Sequence, residues 1–144
     1  AQANSNKIIV AGMSKFIEAF YDDGKYLAGK STGIILGESE ELIFLTGVLN
    51  SKLVAFYVTS FFHSLKMAGG FLNISKEILK NLPIQNNSQN EQKPFIGLVA
   101  QILTAKKDNP QADTIALEVE IDQLVYKLYG LTDEEIAIVE ESVG

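Results

Sequence analysis

A chain of 144 residues, 47% hydrophobic and 21% charged, is long enough to bury a core as one compact unit and too apolar to be wholly disordered. The absence of cysteine excludes a disulfide framework and a thiolate metal site, and no apolar run approaches the roughly 18 residues of a membrane helix. The opening AQANSNKIIV lacks the basic-then-apolar order of a secretion signal, so a cytoplasmic chain without a membrane partner is expected, with a net charge of −6 that disfavours nucleic acid unless it is unevenly spread.

The first six residues are small and polar and give way abruptly to a hydrophobic run, so the chain reads as cut from something longer. Residues 7–37 combine KIIVAG, KFIEAFY and GIILG with the tight-turn pair Asp23-Gly24. Their β-branched and aromatic content predicts two or three strands. From Glu40, the apolar residues Leu42, Leu45, Leu49, Leu53, Phe56 and Phe61 recur mostly at spacings of three and four, predicting a buried helical stripe that Asn50-Ser51 bends or caps anew. Gly69-Gly70 then opens a strand over FLNI, and Ser75 is placed to cap a short helix over KEILKNL that Pro83 ends.

The segment QNNSQNEQ at 85–92 is polar without a hydrophobic period and reads as a linker. Helix signals follow it. One helix is predicted from Pro94 to Lys107, with a break at Asp108-Asn109-Pro110. A second runs from Thr114 to Tyr129 with Leu117, Ile121, Leu124, Val125 and Leu128 on one face and a stop at Gly130. A capping box of Thr132 and Glu135 opens a last helix through Glu141. The expected fold is therefore α+β: a small mixed or antiparallel sheet with packed helices in 1–84, the polar linker 85–92, and a helical segment 93–144.

GVLNSKLVAFYV at 47–58, followed by GGFLNISKEILKNLPI at 69–84, resembles the specificity domain of TaqI-like adenine methyltransferases. There a helix with a Leu-Asn-Ser-Lys signature precedes a glycine-containing strand and a short helix ending in Leu-Pro-Ile. The matching residues are Leu49-Asn50-Ser51-Lys52, Gly69-Gly70 and Leu82-Pro83-Ile84. EIDQLVYKLYGLTDEEIAIVE at 120–140 is similar to the helical tail of type IIG restriction-modification enzymes, and LPIQNNSQNEQKPFIGLV to type I specificity subunits.

The resemblance implies sequence-specific binding of double-stranded DNA. It implies adenine methylation by a catalytic methyltransferase domain of the same parent chain, using S-adenosylmethionine, and no cofactor or catalysis in this fragment. A glycine-rich turn after a strand and an Asn-Pro-Pro-Tyr-type motif are both missing from the sequence. Gly29, Gly33 and Gly37 lie among strand-like segments rather than leading into a helix, so they do not make a phosphate loop. The recognised DNA word, and whether the parent also cleaves DNA, stay open.

Residues 1–93 carry nine lysines against eight acids, and 94–144 carry three against ten, so the acidity belongs to the C-terminal third. All twelve cations are lysine, which removes the guanidinium fork that reads guanine. The candidate DNA contacts are Lys25, Tyr26, Lys30, Ser31 and Thr32 between strands, His63, Ser64 and Lys66 ahead of Gly69-Gly70, and Ser75 and Lys76 at a helix start. Lysine holds phosphate as a point charge, and hydroxyls reach phosphate or base edges. Glycines let backbone approach DNA, and helix starts attract phosphate.

Plainer readings stand beside these: a solvated hairpin for 25–32 and a simple N-cap for Ser75. His63, the only histidine, has no triad order or metal-ligand spacing and reads as a loop or packed residue. Lys52 reads as a helix-surface charge, and Asp133-Glu134-Glu135 and Glu140-Glu141 as capping and solvated acids. Phe56, Tyr57, Phe61 and Phe62 read as core rather than base-stacking groups. Two functions compete: a target-recognition module docking in the major groove, and a protein-interaction module that assembles a restriction-modification complex with little DNA contact.

Overall fold

The computed structural model describes residues 6–11, 13–14, 17–24, 32–61, 72–73, 82, 84 and 88–143. Among them lie β1 (Lys7–Ala11), β2 (Met13–Ser14), β3 (Ala19–Asp22), β4 (Thr32–Leu36), α1 (Ser39–Leu49), α2 (Lys52–Phe61), β5 (Leu72–Asn73), α3 (Gln89–Asp108), α4 (Ile115–Leu128) and α5 (Asp133–Val143). The class is the expected α+β, and of the two forms expected for the sheet it takes the antiparallel one. β1 is central in the order β3-β1-β4, and β2 pairs with β5 in a separate ribbon.

Strand alternation puts Ile8 and Val10 on one face, fully buried. Their cross-strand partners Tyr21, Ile35 and Ala19 pack into the same core. α1 packs against β1 and β3, contributing Leu42, Phe44 and Val48.

α1 and α2 form one apolar stretch bent by 62°, and Ser51 makes the bend. Its hydroxyl donates to the Val48 carbonyl at 2.6 Å and accepts the Val54 N–H at 3.4 Å, ending one helix and starting the next. No single helix among the described residues is long and apolar enough to cross a membrane. In the bent pair, Leu42, Phe44, Val48, Val54 and Val58 are core residues. Phe56 and Tyr57 are half-buried; Phe62 and the Phe61 side chain lie outside the described residues.

The helices after residue 88 share that core. Phe95, Val99, Ile121 and Val125 are buried in one cluster with Ile8, Val10 and Val48, and the Phe95 ring meets Phe44 edge-on at 5.0 Å. Gly47 is what lets α1 approach α3, since a Cβ there would lie 2.9 Å from Val99 Cγ2.

Residues 7–37 hold four strands where two or three are expected, the extra one being the two-residue β2, and one helix start lies well away from its expected place. α3 begins at Gln89, within the polar segment 85–92, rather than at Pro94. The cause is a second capping box, in which Ser88 Oγ accepts the Glu91 N–H at 3.3 Å and Glu91 Oε1 accepts the Ser88 N–H at 3.1 Å. Pro94 sits early in the helix, where its missing N–H forgoes one bond. The Thr132–Glu135 box forms as read, at 2.8 and 3.2 Å. α4 closes with Gly130 at φ +67°, while Leu131 N–H reaches the Tyr126 carbonyl and Gly130 N–H that of Lys127. The predicted helix over 76–82 lies outside the described residues.

Candidate nucleic-acid interface

Of the ten residues nominated for DNA contact, Thr32 is described, as the first residue of β4. Lys25, Tyr26, Lys30, Ser31, His63, Ser64, Lys66, Ser75 and Lys76 lie outside the described residues. The frame those segments leave from is described. β3 and β4 flank β1 and both run antiparallel to it, so they are parallel to each other and the chain between them joins opposite ends of the sheet. It departs beside Asp22, opposite Lys7, and returns at Thr32, opposite Ala11. β2 follows one residue after Ala11, and its Met13 pairs with Asn73. Thr32, which ends the first nominated segment, thus pairs with Ala11, and Asn73, two residues before Ser75, pairs with Met13, two residues further along the chain.

The departing end is held by a buried ion pair. The Lys7 ammonium contacts the Asp22 carboxylate with side chains 0% and 5% exposed. The same carboxylate oxygen accepts the Gly24 N–H at 3.1 Å, and Gly24 takes φ +102°, a conformation that glycine adopts without a Cβ penalty. Sequence reading found the Asp23-Gly24 turn but missed Lys7 and Asp22. The available signal was a lysine opening KIIVA and an aspartate closing AFYD, which antiparallel pairing sets opposite one another.

The Leu-Asn-Ser-Lys signature is an architectural junction. Leu49 is in the core. The Asn50 side chain accepts the Ala19 N–H at 2.8 Å and donates to the Ala19 carbonyl at 2.9 Å, pairing with edge strand β3 as another peptide group would. Lys52 donates its backbone N–H to Asp122 Oδ1 at 2.9 Å and its ammonium to Glu140 at 2.8 Å. The Tyr126 hydroxyl donates to the other Glu140 oxygen at 3.0 Å.

Lys52 and Glu140 are thus corrected from solvated surface charges to a link between α2 and α5, because the bend at Ser51 turns the start of α2 towards the last helix. Their mutual hydrogen bond holds the Lys52 pKa above and the Glu140 pKa below the ordinary values. Burial pushes the Asp122 carboxyl up, and burial, reinforced by Glu140, pushes the Tyr126 phenol up.

Beside this junction a cleft of about 740 Å³ opens between β3, α1 and the α3–α4 turn. Phe20, Ile115 and Val119, all exposed, contribute to its lining. Among the described residues, no group of three His, Asp or Glu side chains is placed to hold a metal ion.

The family model of the TaqI-like C-terminal specificity domain matches residues 2–84. The chain belongs to that family. Among solved structures it is similar to the type IIL restriction-modification enzyme MmeI in complex with DNA, with a TM-score of 0.69 at 15% identity. That likeness establishes the fold. It covers 98% of this chain, including the C-terminal helices beyond the family model, and 21% of the enzyme, so the chain spans about a fifth of that protein's length. A search of curated proteins finds no match.

Proposed function

We propose that this domain reads a DNA target sequence on behalf of a restriction-modification enzyme of the cytoplasm. The observation that carries the reading is the match of residues 2–84 to a specificity-domain family. The topology supports it: the segment that carries Lys25, Lys30 and Ser31 is tied to the sheet at both of its ends, from Asp22 opposite Lys7 to Thr32 opposite Ala11. The structurally similar enzyme MmeI is described in complex with DNA.

In this reading the domain docks in the major groove of double-stranded DNA. Lys25, Lys30, Lys66 and Lys76 set register through phosphates, while Tyr26, Thr32, His63 and the hydroxyls of Ser31, Ser64 and Ser75 reach phosphate or base edges. The parent is an adenine-specific DNA methyltransferase. Its catalytic domain, in the same parent chain, binds S-adenosylmethionine and receives the target adenine, and this domain supplies no catalytic group.

The test is retention of a randomised duplex pool at low salt, followed by sequencing and a salt titration. Recognition predicts one enriched short word and a steep loss of affinity with salt. Lys25, Lys30 and Lys66 changed together to alanine should flatten that slope while leaving the fold intact. A second reading, an assembly module with little DNA contact, is favoured by the net charge of −6 without arginine and by the exposed apolar residues along the cleft. No retention at low salt, with salt-insensitive binding to protein, would decide for it.

A further inference from the structure

We infer that Asp22 is a positioning residue for target recognition, setting the direction in which the chain leaves β3 toward Lys25. The inference rests on the DNA-recognition reading above. A lysine and an aspartate withdrawn from water to 0% and 5% exposure lose hydration that their mutual attraction repays only in good geometry, and apolar residues of similar volume commonly hold the same place at no loss of stability. Stability alone therefore gives a weak reason for this pair in an otherwise apolar sheet. Neither Ile8 nor Val10 beside it needs a polar neighbour.

The pair adds direction. Asp22 Oδ2 receives the Lys7 ammonium and the Gly24 N–H together. Because β1 is the central strand, Lys7 belongs to the most constrained element of the sheet, and the carboxylate passes that constraint to the turn. Asp23 and Gly24 make the bend that follows β3, with Gly24 at φ +102°, and Lys25 is the next residue in the sequence. A leucine at 22 would fill the space but could not accept the Gly24 N–H, whereas an asparagine could.

Two double variants of the full chain separate these roles. K7M/D22N removes both charges and keeps an acceptor for Gly24; K7M/D22L removes the charges and the acceptor. Each is passed through selection on the randomised duplex pool beside the parent chain, with thermal melting as a check on folding. K7M/D22N should recover the parent's word with its discrimination. K7M/D22L, melting like K7M/D22N, should lose about tenfold or more in discrimination at adjoining positions, the scale of one mismatched base pair.

Gly24→Ala strains the same turn without touching the ion pair. It should reproduce that loss and keeps the inference testable if K7M/D22L fails to fold. Unchanged discrimination in Gly24→Ala, or in a folded K7M/D22L, overturns the inference and leaves the recognition reading standing. A parent chain that enriches no word overturns both.

Discussion

Two regions of the molecule are each tied by a lysine–carboxylate pair, in different surroundings. At the end of the sheet, Lys7 and Asp22 are almost wholly withdrawn from water. At the helical junction, Lys52 and Glu140 keep side-chain exposures of 34% and 36%. Water screens the junction pair, so losing one partner leaves a charge that solvent can cover. Losing one partner at the sheet end leaves the other charge where water does not cover it. The same two functional groups make a fixed geometry in one region and an adjustable contact in the other, and access of water is what separates them.

The strongest challenge to that comparison asks whether the sheet region stands alone. Residues 1–84, deprived of Phe95, Val99, Ile121 and Val125 from the shared core, should show no cooperative thermal transition by circular dichroism, while the full chain should show one. A sharp transition in the shorter chain would make the helical scaffold dispensable.

Next in size is Asp22→Ala, which leaves Lys7 buried without its carboxylate and should lower stability by about 3–5 kcal/mol in urea unfolding. A loss below about 1 kcal/mol, the scale of an exposed pair, would show that water reaches this site after all. Gly47→Ala tests the packing between the regions. The added methyl meets Val99 at 2.9 Å, and a cost of about 1–3 kcal/mol is expected from overpacking; no change would mean that α3 yields freely.

The smallest effect belongs to Glu140→Gln, expected to cost at most about 1 kcal/mol near neutral pH. Its pH dependence is more telling. Lys52 holds the Glu140 carboxyl below its ordinary 4.5, so this group contributes stability above the unfolded value that is lost as pH falls through the lower folded one. The glutamine variant should therefore decline less steeply than the parent below about pH 4.5. Asp122, raised by burial from 3.8, works in the opposite sense: its contribution is complete below its unfolded value and is lost as pH rises through the folded one. Desolvation, the larger cause, persists in the glutamine variant, which loses only the Glu140 charge that adds to it. Equal acid limbs would show that Glu140 and Lys52 are independent.

Local features were legible in the sequence wherever nearest neighbours decide them. Thr132 and Glu135 announced their capping box by spacing alone, and Gly130 its helix stop. Ser88 and Glu91 carry the same signature but sit in a segment whose polarity suggests a linker, so the sequence pattern puts the start of α3 five residues too late. Asn50-Ser51 was recognisable as a bend. The nominated DNA contacts came from lysines and hydroxyls near turn signals, and apart from the backbone of Thr32 the structure leaves them outside the described residues.

What the sequence determined by itself was periodicity, capping and the α+β class, because these follow from the 3.6- and 2-residue repeats of the backbone and from groups three or four positions apart. Only the tertiary structure decided partners: Asn50 with Ala19, Lys52 with Asp122 and Glu140, and Lys7 with Asp22. Those choices depend on which distant segments close against each other and on how far water is excluded when they do, and neither quantity is a property of any short stretch of chain.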